Sequence, residues 1–341
     1  MSAVHNGPGP GVNASQQTTP EVASANSDDL ISVVIVNFNA GDYLVAAVES
    51  VLAQSEVATE VIVVDNASSD GSLASLRGRA PAIKVRIIEL DKNYGFAYAC
   101  NAGITASRGA SILLLNPDCR MHAGSLALLK WMIQERPDVG MTGPLIVNPD
   151  GSEQRGCRRD IPNPWQIFCV AFGLHRLMPD HPRFRDYAYD AAVLPDRPSE
   201  VPAISGACML VRRAAIDAVG HLDSGYFLHF EDLDWCLRFQ SAGFKILFVP
   251  GAVVEHTQGV CGRSRPIRVE AHKHRSLVRF LRKNFTTYYP SSFMAIVSAL
   301  VLVRFACVSV RVLIRGRAAR RGAWERLMRG PRTPGAGAQE G

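Results

Sequence analysis

ISVVIVNF (31–38) is an eight-residue run rich in β-branched side chains, without alternation of polar and apolar positions. A strand wetted on one face alternates; a strand covered on both faces does not. The run therefore reads as a strand inside a sheet flanked by helices. Outward from it, Gly41-Asp42 opens a helical pattern that ends near Gln54, and EVIVVD (60–65) is a second buried strand. VRIIEL (85–90) is a third, a helix follows over Ala97–Ser107, and SILLLNPD (111–118) is a fourth. Asn66 to Gly71 is a turn-rich loop able to cap a short helix. Strands alternating with helices on short links predict a doubly wound, mostly parallel α/β sheet. Ligands of such sheets sit beyond the carboxyl ends of the strands. Each of these strands ends in Asn and Asp: Asn37 and Asn39, Asp65 and Asn66, Asp91 and Asn93, Asn116 and Asp118.

The texture changes near residue 140. NPDGS (148–152) is a turn, and 157–200 is rich in Pro, Arg, Asp and aromatics without a firm period. VPAISGACMLVRR (201–213) reads as a buried strand broken at Ser205-Gly206, followed by a helix to Val219. FEDLDWCLRFQSAG (230–243) is a helix stopped by Gly243, and KILFVPGAVVEH (245–256) is a strand pair.

Charge divides the chain. Residues beyond 260 hold 17 Lys/Arg against 3 Asp/Glu, whereas the first 260 hold 20 against 28. An acidic body with a basic tail points to an anionic surface. The apolar content of the tail selects membrane over nucleic acid. Residues 270–285 form a basic amphipathic helix, and 293–310 are apolar but for Arg304. The uninterrupted run 293–303 is shorter than the roughly 20 residues a span needs. Arg304, Arg311 and Arg315 share one helical face, so an interfacial helix with snorkelling arginines is the favoured expectation, with a full span that buries an arginine as the alternative. Arg317, Arg320, Arg321, Arg326 and Arg329 suit an anionic cytoplasmic leaflet. The eight cysteines form no CxxC pair, which argues against a zinc ribbon, and Cys100, Cys208 and Cys307 lie in apolar runs. A reducing compartment follows. Residues 1–29 have no apolar segment and read as a disordered leader.

The residues permit two readings at each strand end. Asp65 can accept from a pyrimidine N–H or ribose hydroxyl, or can cap the next helix, with Asp70 its rival. Asp118 can ligate Mg²⁺ or Mn²⁺, or simply end a strand. Asn93-Tyr94-Gly95 precedes a helix and lets backbone approach a ligand. Glu231, Asp232 and Asp234 crowd a first helical turn, where they favour the helix dipole. The apolar approach of Phe227, Leu228 and Phe230 equally suits one of them as a base. His256 is a lone histidine at a strand end, able to pair with a carboxylate around a metal.

Taken in order, VVIVNFN (33–39), EVIVVDNASSDGS (60–72), NYGFAYACNAGI (93–104), ILLLNPD (112–118), ISGACMLVRR (204–213) and FLHFEDLDWCLRFQSAG (227–243) resemble glycosyltransferase family 2. This is an inverting family of the GT-A fold, and the wording is similar to its rhamnosyltransferase-like branch. The resemblance implies that Asp65 contacts the nucleobase with Asn37 and Asn93 nearby. Asn39, Asn66, Gly95, Asn116, Ser205 and Gly206 complete the donor side. Asp118 matches the last acid of the family's D-x-D motif, with Asn116 in place of the first. Asp232 matches the general base. His256, 24 residues later, matches a metal-binding histidine of related enzymes. Arg159, Glu231 and Trp235 would lie on the acceptor side.

The implied reaction is inverting transfer, rhamnose favoured, from a dTDP- or UDP-linked sugar to a glycan or lipid-linked acceptor. It would serve cell-wall, O-antigen or exopolysaccharide assembly at the cytoplasmic face of the inner membrane, with a divalent metal, Mg²⁺ or Mn²⁺. Nucleic acid is not an expected partner. The expected organisation is a leader (1–29), a GT-A domain (30–262) with halves 30–140 and 141–262, a membrane-associated tail (263–332) and a disordered end (333–341). A cut near 265 is expected to release a soluble donor-binding enzyme. A nucleotidyltransferase would want a Gly-rich triphosphate loop and a dehydrogenase GxGxxG, and NFNAGDY is neither. A catalytically inactive membrane-docked module is the other alternative.

Overall fold

A computed structural model of the 341-residue chain describes residues 29–79, 84–177, 181, 194–260 and 265–328. The expected leader, Asp29 apart, and the end 333–341 lie outside the described residues, as do Cys261, Arg329 and part of 157–200.

The first half alternates as the sequence predicts: β1 (Ile31–Asn37), α1 (Tyr43–Leu52), β2 (Thr59–Asp65), α2 (Ser72–Arg79), β3 (Val85–Glu89), α3 (Phe96–Ala106) and β4 (Ser111–Leu115). Every residue of β1 is buried, as its unbroken apolar run requires. There follow β5 (Cys119–Met121), α4 (Ser125–Glu135), β6 (Val139–Val147), β7 (Arg158–Arg159), α5 (Pro164–Ala171) and α6 (Leu174–Leu177). Then come β8 (Ser199–Glu200), β9 (Ala203–Ile204), β10 (Cys208–Arg212), α7 (Arg213–Val219), α8 (Glu231–Ser241), β11 (Lys245–His256), α9 (Pro266–Phe285) and α10 (Ser291–Met328).

One nine-stranded sheet runs β3-β2-β1-β4-β10-β6-β11-β5, with β8 on β11, and β7 pairs β9 in a separate ribbon. The sheet is mixed. β1, β2, β3 and β4 are mutually parallel, and β10 enters antiparallel between β4 and β6. KILFVPGAVVEH is one strand, not the expected pair. It stays parallel to β6 through a register shift between Val249 and Val253. The bulge accommodates Pro250, which has no N–H for the ladder. The end of β11 then pairs with β5, setting His256 opposite Cys119, one residue beyond Asp118.

The expected boundary near 262 does not mark the edge of the core. Leu277, Phe280 and Leu281 of α9 are buried in it, as are Met294, Val297 and Val301 of α10. Lys283 donates to Asp234 (2.9 Å) and to Asp223 (2.8 Å), and Asn284 donates to Asp234 (3.3 Å). Asp234 is wholly buried and also accepts from Tyr226 and Arg238. A cut near 265 removes these apolar side chains and half the partners of a buried carboxylate. Losing one buried Phe alone costs about 3–5 kcal/mol. A chain ended at 264 is therefore expected to be recovered insoluble, whereas one ended at Tyr289 keeps α9 and melts cooperatively. Equal, cooperative melting of both by circular dichroism would refute this packing argument.

Helix α10 is continuous through Arg304. Ser291–Ile314 is long and apolar enough to cross a membrane by length and composition. Its sides are unequal: Met294, Val297 and Val301 face the enzyme, while Ile296, Leu302, Val303, Val310, Leu313 and Ile314 are exposed. At 3.6 residues per turn Leu302, Val310 and Leu313 fall on the far side of the helix from Arg304, and Ile296, Val303 and Ile314 lie at about a right angle to it.

Candidate active site

A cleft of about 1320 Å³ opens at the carboxyl ends of β1, β4 and β11 and the start of α8. It exceeds the ~300–1,000 Å³ of common small-molecule pockets, leaving room for two substrates. Asn39, Asn66, Asn93, Gly95, Asn116, Asp118, Arg159, Ser205, Gly206, Glu231, Asp232 and His256 all line it.

Asn37 and Asp65 do not reach that wall. They end adjacent strands in register and are buried against each other. Asn37 Nδ2 donates to Asp65 Oδ1 (2.7 Å) and Ser72 Oγ (2.8 Å), and the Ser68 N–H donates to Asp65 Oδ2 (3.0 Å). Trp235, expected on the acceptor side, is a core residue. It is fully buried, donates its indole N–H to the Gly220 carbonyl (2.9 Å) and sits edge-on to Phe239. Four residues after Glu231 on a helix whose inner face meets the sheet, it turns toward the core.

The loops expected on the donor side interlock. Ser69 N–H donates to Asn39 Oδ1 (2.7 Å), and Asn39 holds φ at 53° to make the contact. Asn66 donates to Asn93 Oδ1 (3.0 Å) and the Gly95 carbonyl (3.2 Å), and accepts from the Tyr94 N–H (2.9 Å). Gly95 has φ 94°, and a Cβ there would stand 2.6 Å from the Phe227 carbonyl oxygen. Gly95→Ala is expected to push Phe227 and the loop before α8 outward, lowering the melting temperature and weakening nucleotide-sugar binding. Unchanged donor affinity by calorimetry would count against a role for this contact.

At the end of β4, Asp118 and His256 are both buried. His256 Nδ1 lies 2.6 Å from Gln154 Oε1. Gln154 Nε2 is engaged with Asn148 Oδ1 (3.0 Å) and the His256 carbonyl (3.2 Å), so the hydrogen-bond network assigns the ring proton to Nδ1. Nε2 then turns a lone pair to Asp118 Oδ1, 3.1 Å away, with Asn116 Nδ2 at 3.4 Å. Two acceptors facing each other fit a divalent cation shared between them, and Gln154 acts as the outer partner that fixes the ring. Cys119 completes a compact Asp-Cys-His group with ligand atoms within 4.8 Å of one another. Burial pushes its thiol well up, so it stays protonated and is the weakest donor of the three. Neither Gln154 nor Cys119 carries a signal in the sequence. Gln154 arrives because the 148–152 turn folds back, its N–H donating to the Ile146 carbonyl (2.8 Å).

The first turn of α8 separates its three acids. Asp234 is taken by α9. Asp232 Oδ2 accepts from the Gly206 N–H (3.0 Å) and from Arg159, and Oδ1 accepts from the Leu233 N–H (2.8 Å). Gly206 lets the broken strand approach, since a Cβ there would be 3.0 Å from Asp232 Cβ. His229 and Phe230 hold φ at 65° and 70° to turn the chain into the helix. Such left-handed non-glycine residues cost about 1–3 kcal/mol each and gather at functional sites. Glu231 is buried, and its Oε2 has no partner among the described residues. Burial first, then the Asp232 charge, pushes its carboxyl from 4.5 up to about 8.

A raised acid binds its proton more tightly in the folded state. Its contribution to stability is therefore complete below pH 4.5 and is lost as pH rises to about 8. The melting temperature of the wild type is expected to fall more steeply over that window than that of Glu231→Gln. Parallel melting curves for the two proteins would show that Glu231 does not titrate there.

The family model for glycosyl transferase family 2 matches residues 32–220. The N-acetylglucosaminyl-diphospho-decaprenol L-rhamnosyltransferase of Mycobacterium tuberculosis is 30% identical over 269 residues, covering 74% of this chain and 84% of that protein. A low-salt glycan biosynthesis hexosyltransferase of Haloferax volcanii is 23% identical over 232 residues, 67% of each chain. Among solved structures, GalNAc-T7 with UDP, GalNAc and Mn²⁺ aligns with a TM-score of 0.51 at 20% identity. That alignment covers 68% of this chain and 44% of the other, and the likeness is one of fold.

Proposed function

This chain belongs to glycosyltransferase family 2, and on that premise we propose that it moves a sugar, rhamnose favoured, from a dTDP- or UDP-linked donor to a hydroxyl of a lipid-linked glycan, with inversion. One observation carries the reading: Asp232, held by Gly206 and Arg159, shares a cleft with the Asp118–His256 pair.

Asp118 and His256 would hold Mg²⁺ or Mn²⁺. When bound, the ion supplies positive charge for a diphosphate leaving group. Asn39 and Asn93 offer amides to the nucleotide, Asn66 lines the cleft while holding the Asn93–Gly95 loop, and Asp65 braces the loops behind them. Asp232 takes the proton of the acceptor hydroxyl, and the freed oxygen attacks the anomeric carbon from the face opposite the nucleotide. Gly206 and Arg159 fix the direction of the Asp232 carboxylate before that step, which keeps its reorganisation small. Glu231, buried beside it with its carboxyl pushed up to about 8, adds no second negative charge there.

Attachment to the cytoplasmic face of the inner membrane is assigned to α10. Met294, Val297 and Val301 are committed to the enzyme, which favours a helix lying in the interface over one crossing it. The M. tuberculosis relative is named for a lipid-linked acceptor, which agrees with such a site. The test is a screen of dTDP- and UDP-sugars with membrane-reconstituted full chain and a prenyl-diphosphate-linked N-acetylglucosamine. The expected result is release of nucleoside diphosphate with a lengthened glycolipid from dTDP-rhamnose. Absence of acceptor-dependent release across the whole panel would overturn the proposal.

A further inference from the structure

The cleft has a second, basic end. Arg265, Arg268 and Lys273 from the start of α9 line it, with Arg304 from the middle of α10 and Arg176 of α6. Glu270 is the countercharge there, 4.0 Å from Lys273. Arg176, Arg265, Arg268 and Arg304 have no ion-pair partner among the described residues. Acids therefore line the cleft where Asp118, Glu231 and Asp232 stand, and cations line it where α9 and α10 meet it.

Arg304 is the informative residue. It is the only charged residue between Lys283 and Arg311. In a helix lying in the interface such a charge turns to water or to the protein, and Arg304 lines the cleft. Packing sets its direction: Met294, Val297 and Val301 are buried in the core, and Phe293 lies 5.7 Å from Phe168 of α5. Leu302 and Val303, beside it in sequence, are 62% and 60% exposed. One turn of α10 thus offers a cation to the cleft and apolar side chains away from the enzyme.

We propose that this end is a subsite for the diphosphate of a prenyl-diphosphate-linked acceptor. Arg265, Arg268, Lys273 and Arg304 hold the diphosphate. The prenyl chain leaves along the exposed apolar face of α10, and the attached sugar extends inward toward Asp232. Unpaired guanidinium groups lining one cleft offer a dianionic group charge-assisted hydrogen bonds, the stronger kind. The subsite rests on the proposed lipid-linked acceptor, and its test reads binding, apart from transfer.

Full-length protein in non-ionic detergent, with chelator present, is titrated with farnesyl diphosphate, farnesol, phosphatidylglycerol and UDP. Farnesyl diphosphate is expected to bind at least ~10-fold more tightly than farnesol or phosphatidylglycerol, the scale of one or two charged hydrogen bonds. Arg268→Gln and Arg304→Gln should each weaken it ~10-fold and leave UDP binding as in wild type, with melting temperature as the check on folding. Unchanged farnesyl diphosphate affinity in the double variant overturns the subsite. An equal loss of UDP affinity also overturns it, because the cations then serve the donor. Phosphatidylglycerol binding as tightly as farnesyl diphosphate reduces the region to a headgroup contact and overturns it as well. Variant-sensitive binding without any sugar transfer in the donor screen would uphold the subsite and overturn the proposed reaction instead.

Discussion

Asp232→Asn is expected to cut sugar transfer by at least ~100-fold, the usual scale for loss of a general base. Asn keeps the shape of Asp, but its single Oδ1 can accept from only one of the Gly206 and Leu233 N–H groups, which Asp232 meets with different oxygens. It cannot take a proton from the acceptor hydroxyl. It also breaks the ion pair with Arg159, whose side chain is 22% exposed against 10% for Asp232. Both side chains are largely buried, so losing the pair also costs stability. Initial rates, a melting curve and a donor titration on the same preparation separate the outcomes. Lost turnover with a lowered but cooperative melting transition and retained donor affinity is the expected pattern, and wild-type turnover would remove Asp232 from the mechanism.

The second large effect concerns the Asp118–His256 pair. Activity should vanish in EDTA and return with Mn²⁺ or Mg²⁺. Asp118→Ala and His256→Ala should each raise the metal concentration needed for half-maximal activity, because each removes a ligand. Gln154→Leu leaves both ligands but frees the His256 ring from its fixed tautomer. Loss of such an outer partner costs about 10–100-fold in metal affinity or activity. A metal titration by calorimetry gives a readout that does not depend on turnover. Full activity in chelator would sink the metal assignment for both residues at once.

The alternating apolar strands and helices of residues 31–118 needed no tertiary information. A β-branched run without alternation has no stable place except between two layers of helices, so local pattern and global fold agree there. The same was true of the strand-end Asn and Asp residues, because a parallel sheet delivers all its carboxyl ends to one edge. Most of the positions expected on the donor and metal sides line the cleft for that reason. Trp235 was not: apolar periodicity does not say whether a large aromatic near a helix start faces a cleft or a core. Gln154 was not either, since it meets His256 across 102 residues of sequence.

The three acids of FEDLD show most clearly where sequence stops. Composition and spacing put Glu231, Asp232 and Asp234 in one helical turn, and the helix dipole welcomes all three alike. Only packing distinguishes them. Successive residues on a helix point about 100° apart, so each acid meets a different environment. Glu231 is driven into apolar surroundings, Asp232 toward Gly206 and Arg159, and Asp234 toward Lys283 and Asn284 of a helix that the charge pattern had assigned to the membrane. The basic, amphipathic character of α9 was determined by sequence. What its apolar stripe covers was decided by the fold, because an apolar face carries no label for its partner. The enzyme's own core met that face and buried Leu277, Phe280 and Leu281.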